Sequence, residues 1–435
     1  MVYEPQENLS ESHRAYGRHF LNVTMHDVVS FVQSKSCTAL VRRPVISSAR
    51  TLTLYPTMIG QDAFFMSYYE SVIAPMISTT QVRNGFRTEL IRMILSRGDT
   101  AIQALWNSMM AVAAFHHGGS AAALKYNTKA LRYLSDSLKP GQGVSVIELN
   151  EAHFATCMML CIYSVFDETD GHWPAHLDGA KHMLQKLYPD HKKSVNADFL
   201  FTWFLYHEVL ACFSQPLRQA NNCIDVLLLL KTSSCDATVI LGALGCSLEA
   251  LAIIHRVNKF RIALIRNEFG QKSPELLLRR VRLEHTLHYL VQRLDSDEEA
   301  GEVPERHTSI LKMAELYRIG TLLYLMSIVP LPRDDARRAN HLDEAFRILE
   351  NLGVPANPWP VFMIACECHT DERRIKIMKV MELMSARNIG SNRVMQALIE
   401  SCWKNHDLQA DSGLPHRVTW WEFVNSYETT VPWFM

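Results

Sequence analysis

The sequence predicts an all-α fold: one large array of roughly fifteen helices with no significant sheet. Three observations predict it. Ala155–Phe166, reading ATCMMLCIYSVF, is apolar on every side for about three turns, and a helix of that kind is one that other helices surround. From Gln61 onward, apolar residues recur at helical spacing in one segment after another. No strong strand signal and no internal repeat accompany them. The hairpin Ala155–Leu187 is the organising unit: a buried helix, the polar turn ETDGHWP, and a return helix AHLDGAKHMLQKL.

Taken in order, residues 1–60 form an N-terminal extension, partly irregular. ARTL and LTLYPTMIG read as extended there, and HDVVSFVQS as a short helix. Residues 61–435 read as one all-helical domain. DAFFMSYYESVIAPMIS places Phe64, Phe65, Tyr68, Val72 and Met76 on one face, and Pro75 ends or kinks that helix. VRNGFRTELIRMIL follows. Asp99-Thr100 then caps AIQALWNSMMAVAAFHH, which is apolar nearly all round and stops at Gly118-Gly119. SAAALKYNTKALRYLSDSL is amphipathic, with Leu124, Thr128, Leu131, Leu134 and Leu138 as its buried stripe. KPGQG is a loop before the central hairpin, and ADFLFTWFLYHEVLACFSQP is an aromatic, mostly buried helix. Residues 236–268 and 274–294 read as long helical segments, with Gly242 and Gly245 of LGALG taken as close packing inside the first. DSDEEAGEVPER reads as a solvated acidic loop. MAELYRIGTLLYLMSIV, DDARRANHLDEAFRILENL, the hinge VPANPWP and three closing helices complete the chain.

The chain has 435 residues, 48% of them apolar and 20% charged, which is globular composition with room for a sizeable core. A formal net charge of −1 gives no electrostatic reason to expect nucleic acid. The opening MVYEPQENLSESHR lacks the basic start and apolar core of a secretory signal, and no stretch of about 18 apolar residues predicts a membrane span. The ten cysteines sit mostly in apolar helical segments and form no CxxC, which reads as reduced, buried packing in an intracellular protein. Cys366 and Cys368, two apart, fall on different sides of a helix. The expected location is the cytoplasm, with the nucleus reached through a partner. No cofactor and no metal are expected, and a homodimer is left open.

Several segments together resemble the fungal-specific transcription factor domain, the helical regulatory region found downstream of Zn2Cys6 DNA-binding clusters. DAFFMSYYESVIAPMIS resembles the family's opening helix and NGFR its link to the next. ALWNSMMAVAAFH and KYNTKALRYL resemble the following pair. CIYSVFDETDGHWPAHLDGAKHML is similar to its apolar helix, Trp turn and His-x-x-Gly-Ala helix. YRIGTLLYL, WPVFMIACECHTDERR and ALIESCWKNHD resemble its C-terminal signature. The resemblance spans about residues 61–405 and implies an all-helical regulatory domain. A zinc cluster needs its thiolates gathered in one short segment, whereas the first 156 residues hold only Cys37, so direct DNA binding is not expected.

Two functions then compete. The preferred expectation is a cofactor-free cyclase of fungal secondary metabolism, acting on an apolar polyketide–terpenoid substrate. In being free-standing the chain resembles the hetero-Diels–Alder cyclases of tropolonic sesquiterpenoid pathways, and an apolar cavity could hold two reactants in a reactive geometry. The alternative is a non-catalytic transcriptional regulator, binding a small effector or a partner. No phosphate loop, GxSxG or HExxH is present, and His207-Glu208 lacks the second histidine.

For the cyclase, Tyr126, His116 and Tyr206 are the candidate catalytic donors. Trp106, His117, Arg132, Tyr163, Trp173, His176, Trp203 and His207 are the candidate substrate contacts. Each also has a plainer reading. His116 and His117 suit helix C-terminal caps, Arg132 a surface ion pair, and Tyr206 a buried tyrosine bonded to a backbone carbonyl. Trp173 suits packing under the turn, and His176 suits satisfying backbone groups at the helix start. Asp167, Glu168 and Asp170 read as caps and turn acids. Pro174 interrupts the spacing of His172 and His176, and no third ligand is evident, so they do not read as a metal site.

Overall fold

The computed structural model describes residues 60–96, 98–139, 149–188, 197–216, 236–268, 274–301, 303–387, 389–412, 419–424 and 434, all within the unit Met58–Met435. The expectations for the stretch before Gly60, most of the KPGQG loop, and Cys37, Cys223 and Cys235 lie outside the described residues.

Among the described residues the fold is all-α apart from one short hairpin. α1 (Gln61–Tyr68) runs into a π-helical turn, Tyr69–Ile73, and a final turn, Ala74–Met76. Pro75 has no N–H to offer Ser71, so the helix widens just before it and then stops. α2 (Gly85–Ile94) and α3 (Thr100–Ser137) begin under side-chain caps: Asn84 accepts from the Arg87 N–H, and Asp99 from that of Ile102. α4 (Glu151–Phe166) starts with a full capping box between Asn150 and His153. Every residue of α4 from Ala152 to Phe166 is buried, with α3 packed on it and α5 (Trp173–Leu187) folded back along it. The central hairpin is therefore where the apolar pattern puts it.

α6 (Ala197–Ser214) leads by way of the hairpin β1 (Ile240–Leu241) and β2 (Cys246–Ser247) to α7 (Leu248–Ile265), which packs against it. The strands are antiparallel, pairing Ile240 with Ser247 and Leu241 with Cys246. α8 (Pro274–His288), the short α9 (Ser296–Glu299) and α10 (Pro304–Ile328) follow. α10 is the second centre of the fold, touching α7, α8, α11 (Asp334–Glu350) and α12 (Pro358–Cys366). α13 (Asp371–Ser385), α14 (Ser391–Ser412) and α15 (Trp421–Val424) close the described chain.

Five expectations need correction. α1 and the two turns after it bury Phe65, Met66, Tyr69, Ile73 and Ala74, while Phe64 is exposed, so the inward face lies about one position on from the expected one. In α3 the buried stripe is Ala123, Tyr126, Ala130 and Leu134, and Leu124 and Leu131 face solvent. Gly118-Gly119 bends that helix instead of ending it, because Gly119 takes a φ of +76° that other residues resist. LGALG is a turn between strands, not a helix interior, and Gly245 has a φ of +73°. The acidic segment is not simply solvated. Glu298 is buried and accepts from the N–H groups of Gln81 (3.3 Å) and Val82 (3.1 Å) while pairing with Arg306 at 3.2 Å.

Candidate functional site

The side chains singled out for chemistry fall into separate places. On α3, His116 is wedged between elements distant in sequence. Its Nε2 lies 2.8 Å from the Arg387 carbonyl oxygen, and its Nδ1 lies 2.8 Å from the Tyr68 hydroxyl. A carbonyl can only accept, so Nε2 carries the proton and the neutral ring accepts from Tyr68. Burial lowers the His116 pKa, against the opposing effect of the Arg387 bond, with the neighbouring His117 lowering it further. His117 is exposed and stacks edge-on with Phe64, Phe65 and Tyr68. Tyr126 donates to Asp62 at 2.5 Å, and burial, then that carboxylate, raises its pKa. Trp106 is half-buried, and Arg132 is exposed with its guanidinium 5.3 Å from the Tyr133 ring.

The turn after α4 is tied by its own acids. Tyr163 donates to Asp167 at 3.4 Å, Asp167 accepts from the Thr169 hydroxyl, Ser164 bonds Asp170, and Glu168 pairs with Arg393 at 3.0 Å. Trp173 is buried, and its carbonyl lies 3.6 Å from the Cys161 thiol. No side chain caps α5, so His176 does not take the helix-start role; burial lowers its pKa.

A second cluster sits on α6. Trp203, Tyr206 and His207 are buried, with the Tyr206 hydroxyl 2.8 Å from that of Tyr317 and 3.3 Å from the Asn357 amide nitrogen, which donates to it. Tyr206 thus bonds two side chains and not the backbone carbonyl expected of it. His207 donates through Nδ1 to the Trp203 carbonyl at 2.9 Å, and burial pushes its pKa down to about 3. The catalytic trio is not assembled: His116 and Tyr126 face α1, and Tyr206 faces α10. Each of these three groups is engaged in holding helices together.

A cavity of about 750 Å³ is lined by none of the expected residues. Its apolar wall is Val82, Phe199, Val239, Ile240, Leu241 and Ala243, and its rim carries Arg83, Arg293, Glu89, Asp198 and Asp236. One side is a strap, residues 78–83. Thr79 donates through its N–H to the Gly242 carbonyl at 2.9 Å, and Arg83 bridges Asp295 (3.0 Å) and Asp297 (2.6 Å). The strap seats on Gly242 so closely that a Cβ there would meet Thr80 Oγ1 at 2.2 Å. Beneath it a second cavity of about 40 Å³ is lined by Ser78, Thr79, Phe166, Tyr206 and Asn357, and Ala243 borders both. The buried Asn357 Oδ1 has no hydrogen-bond partner there. Sequence reasoning missed the strap, Glu298 and Asn357; the paired glycines of LGALG were the available signal. Among the described residues no group of three or more His, Cys, Asp or Glu could hold a metal ion, and no helix is long and apolar enough to cross a membrane.

His116, Tyr126 and Tyr206 each bond a residue from another part of an all-helical array, and none of the three lines the 750 Å³ cavity. The chain belongs to the family of the fungal specific transcription factor domain, whose model matches residues 64–433. It is similar to transcription factor iacI of Pestalotiopsis fici, 24% identical over 349 residues that cover 76% of this chain and 84% of the relative. No solved structure matches it. Family membership overturns the cyclase expectation and, with it, the expectation of an enzyme.

Proposed function

We propose that this chain is a non-catalytic regulatory domain of transcription, acting in nucleus or cytoplasm, which binds an apolar small-molecule effector in the 750 Å³ cavity. The observation that carries the reading is the strap. It forms one wall of the cavity and is fastened both to the hairpin turn at Gly242 and to α9, so a ligand against Phe199 and Ala243 presses on a segment that joins α1 to α2. Occupancy is thereby communicated to the helices around it. DNA contact is not assigned to these residues: the net charge is −1, and a footprint by the purified chain is not expected at physiological salt.

Native mass spectrometry of the purified chain after exposure to a fungal metabolite extract tests this. The expected result is one small molecule retained unaltered, released by Ala243→Trp, which fills the cavity, together with altered transcripts in a strain lacking the gene. No retained molecule and an unchanged transcript profile would overturn the reading.

A further inference from the structure

The ends of α12 and α14 bring two cysteines together. Cys366, the last residue of α12, and Cys402, on α14, are both buried where the two helices pack together. Cys402 Sγ also lies 4.0 Å from the Cys366 carbonyl oxygen and 3.7 Å from His406 Nε2, one turn further along α14. His406 in turn stacks on His369 at 4.7 Å, and His369 is exposed, so the cluster sits directly beneath solvent. Trp403, next to Cys402, anchors the same contact by donating to the Ala365 carbonyl at 2.7 Å. Cys368 is not part of the pair: it lies beyond the end of α12 and its thiol donates back to Ile364 at 3.3 Å.

We propose that Cys366 and Cys402 are a thiol pair that a hydroperoxide converts to a disulfide. This assignment is independent of the effector cavity. The Cys402 thiolate attacks the terminal oxygen of the peroxide and the O–O bond breaks. The departing alkoxide takes the proton that the Cys402 thiol has passed to His406 Nε2, leaving a sulfenic acid on Cys402. The Cys366 sulfur then attacks the Cys402 sulfur, the S–O bond breaks, and hydroxide leaves with the Cys366 proton as water. Two thiols lose two electrons in all, and one peroxide becomes one alcohol and one water. The electrostatics agree with the geometry. The neighbouring Cys366 thiol, then His406, hold Cys402 below the usual thiol range against burial, while burial and the same pairing hold Cys366 above it, and burial pushes Cys157 up to about 12. The disulfide would tie the end of α12 to α14.

Graded tert-butyl hydroperoxide, added to the intact chain and followed by alkylation and non-reducing peptide mass spectrometry, tests the pair. The expected first product is a Cys366–Cys402 linked peptide, reversed by dithiothreitol, with Cys402 reacting at least about tenfold faster than Cys157 at neutral pH. In Cys366→Ser the expected product is a dimedone-trapped sulfenic acid on Cys402. A bridge to another cysteine, or equal rates at Cys402 and Cys157 in the unsubstituted chain, would each overturn the assignment.

Discussion

A neutral imidazole shut inside a helical core makes stability depend on acid. His207 is fully enclosed, with its pKa near 3 because burial opposes the charged ring, while in the unfolded chain it titrates near 6.5. The unfolded state therefore binds the proton first. His207's contribution is complete above pH 6.5, declines as pH falls below that value, and stops declining near pH 3. In urea titrations the slope from this one residue should approach about 1.4 kcal/mol per pH unit inside that window, and His207→Gln should remove it. His116, also lowered by burial, adds to the loss below pH 6.5. At this scale the sequence marks which polar residues sit in apolar helices and does not give them their work. The partners of Tyr126, Tyr206 and His116 are Asp62, Tyr317 and Asn357, and Arg387, lying 64, 111, 151 and 271 positions away. No local pattern contains such distances.

Between elements, the glycine turn and one buried ion pair carry the most exposed tests. Gly245 has a φ of +73°, and a Cβ there would stand 2.5 Å from Asn357 Oδ1, so Gly245→Ala should lower stability by about 1–3 kcal/mol. Gly353→Ala, at a φ of +74° but facing open space, should lose less; equal losses by chemical denaturation would mean that the Asn357 contact is inconsequential. Lys181 of α5 and Glu208 of α6 pair at 2.9 Å with side chains 7% and 3% exposed. Lys181→Met takes the ammonium partner away from a buried carboxylate and should remove about 3–5 kcal/mol, whereas Lys181→Met with Glu208→Leu should recover most of it. Helices were legible wherever the apolar pattern ran long, as in α4 and α10. The segment around LGALG was not, because a short apolar run fits a buried helix and a buried strand equally, and only the backbone angle of Gly245 separates them. The stripe of α3 was misread because Leu124 and Leu131 are apolar yet lie outside, while the two alanines Ala123 and Ala130 lie inside.

Across the whole molecule, slowest amide exchange is expected in α4 and in the middle of α10, the two helices enclosed by others, with the strap at residues 78–83 faster; hydrogen-exchange mass spectrometry reads this directly. Fold class was legible at this scale because it rests on many repeated patterns. The choice between regulator and enzyme was not, since both would use an apolar helical cavity, and it was family membership that decided it. The corner at His116 has a further consequence for synthesis. Its ring needs the Arg387 carbonyl, and just beside it the Phe166 carbonyl needs the Gly390 N–H at 3.1 Å. Translation proceeds at about 5–20 residues per second, so the ribosome takes roughly 15–55 s to pass from the first partner to the second. Throughout that interval the nascent helices α3 and α4 present an unfinished corner to chaperones. A message truncated between codons 188 and 387 yields a chain that holds the whole central hairpin without the partners that lock it, a ready substrate for proteolysis.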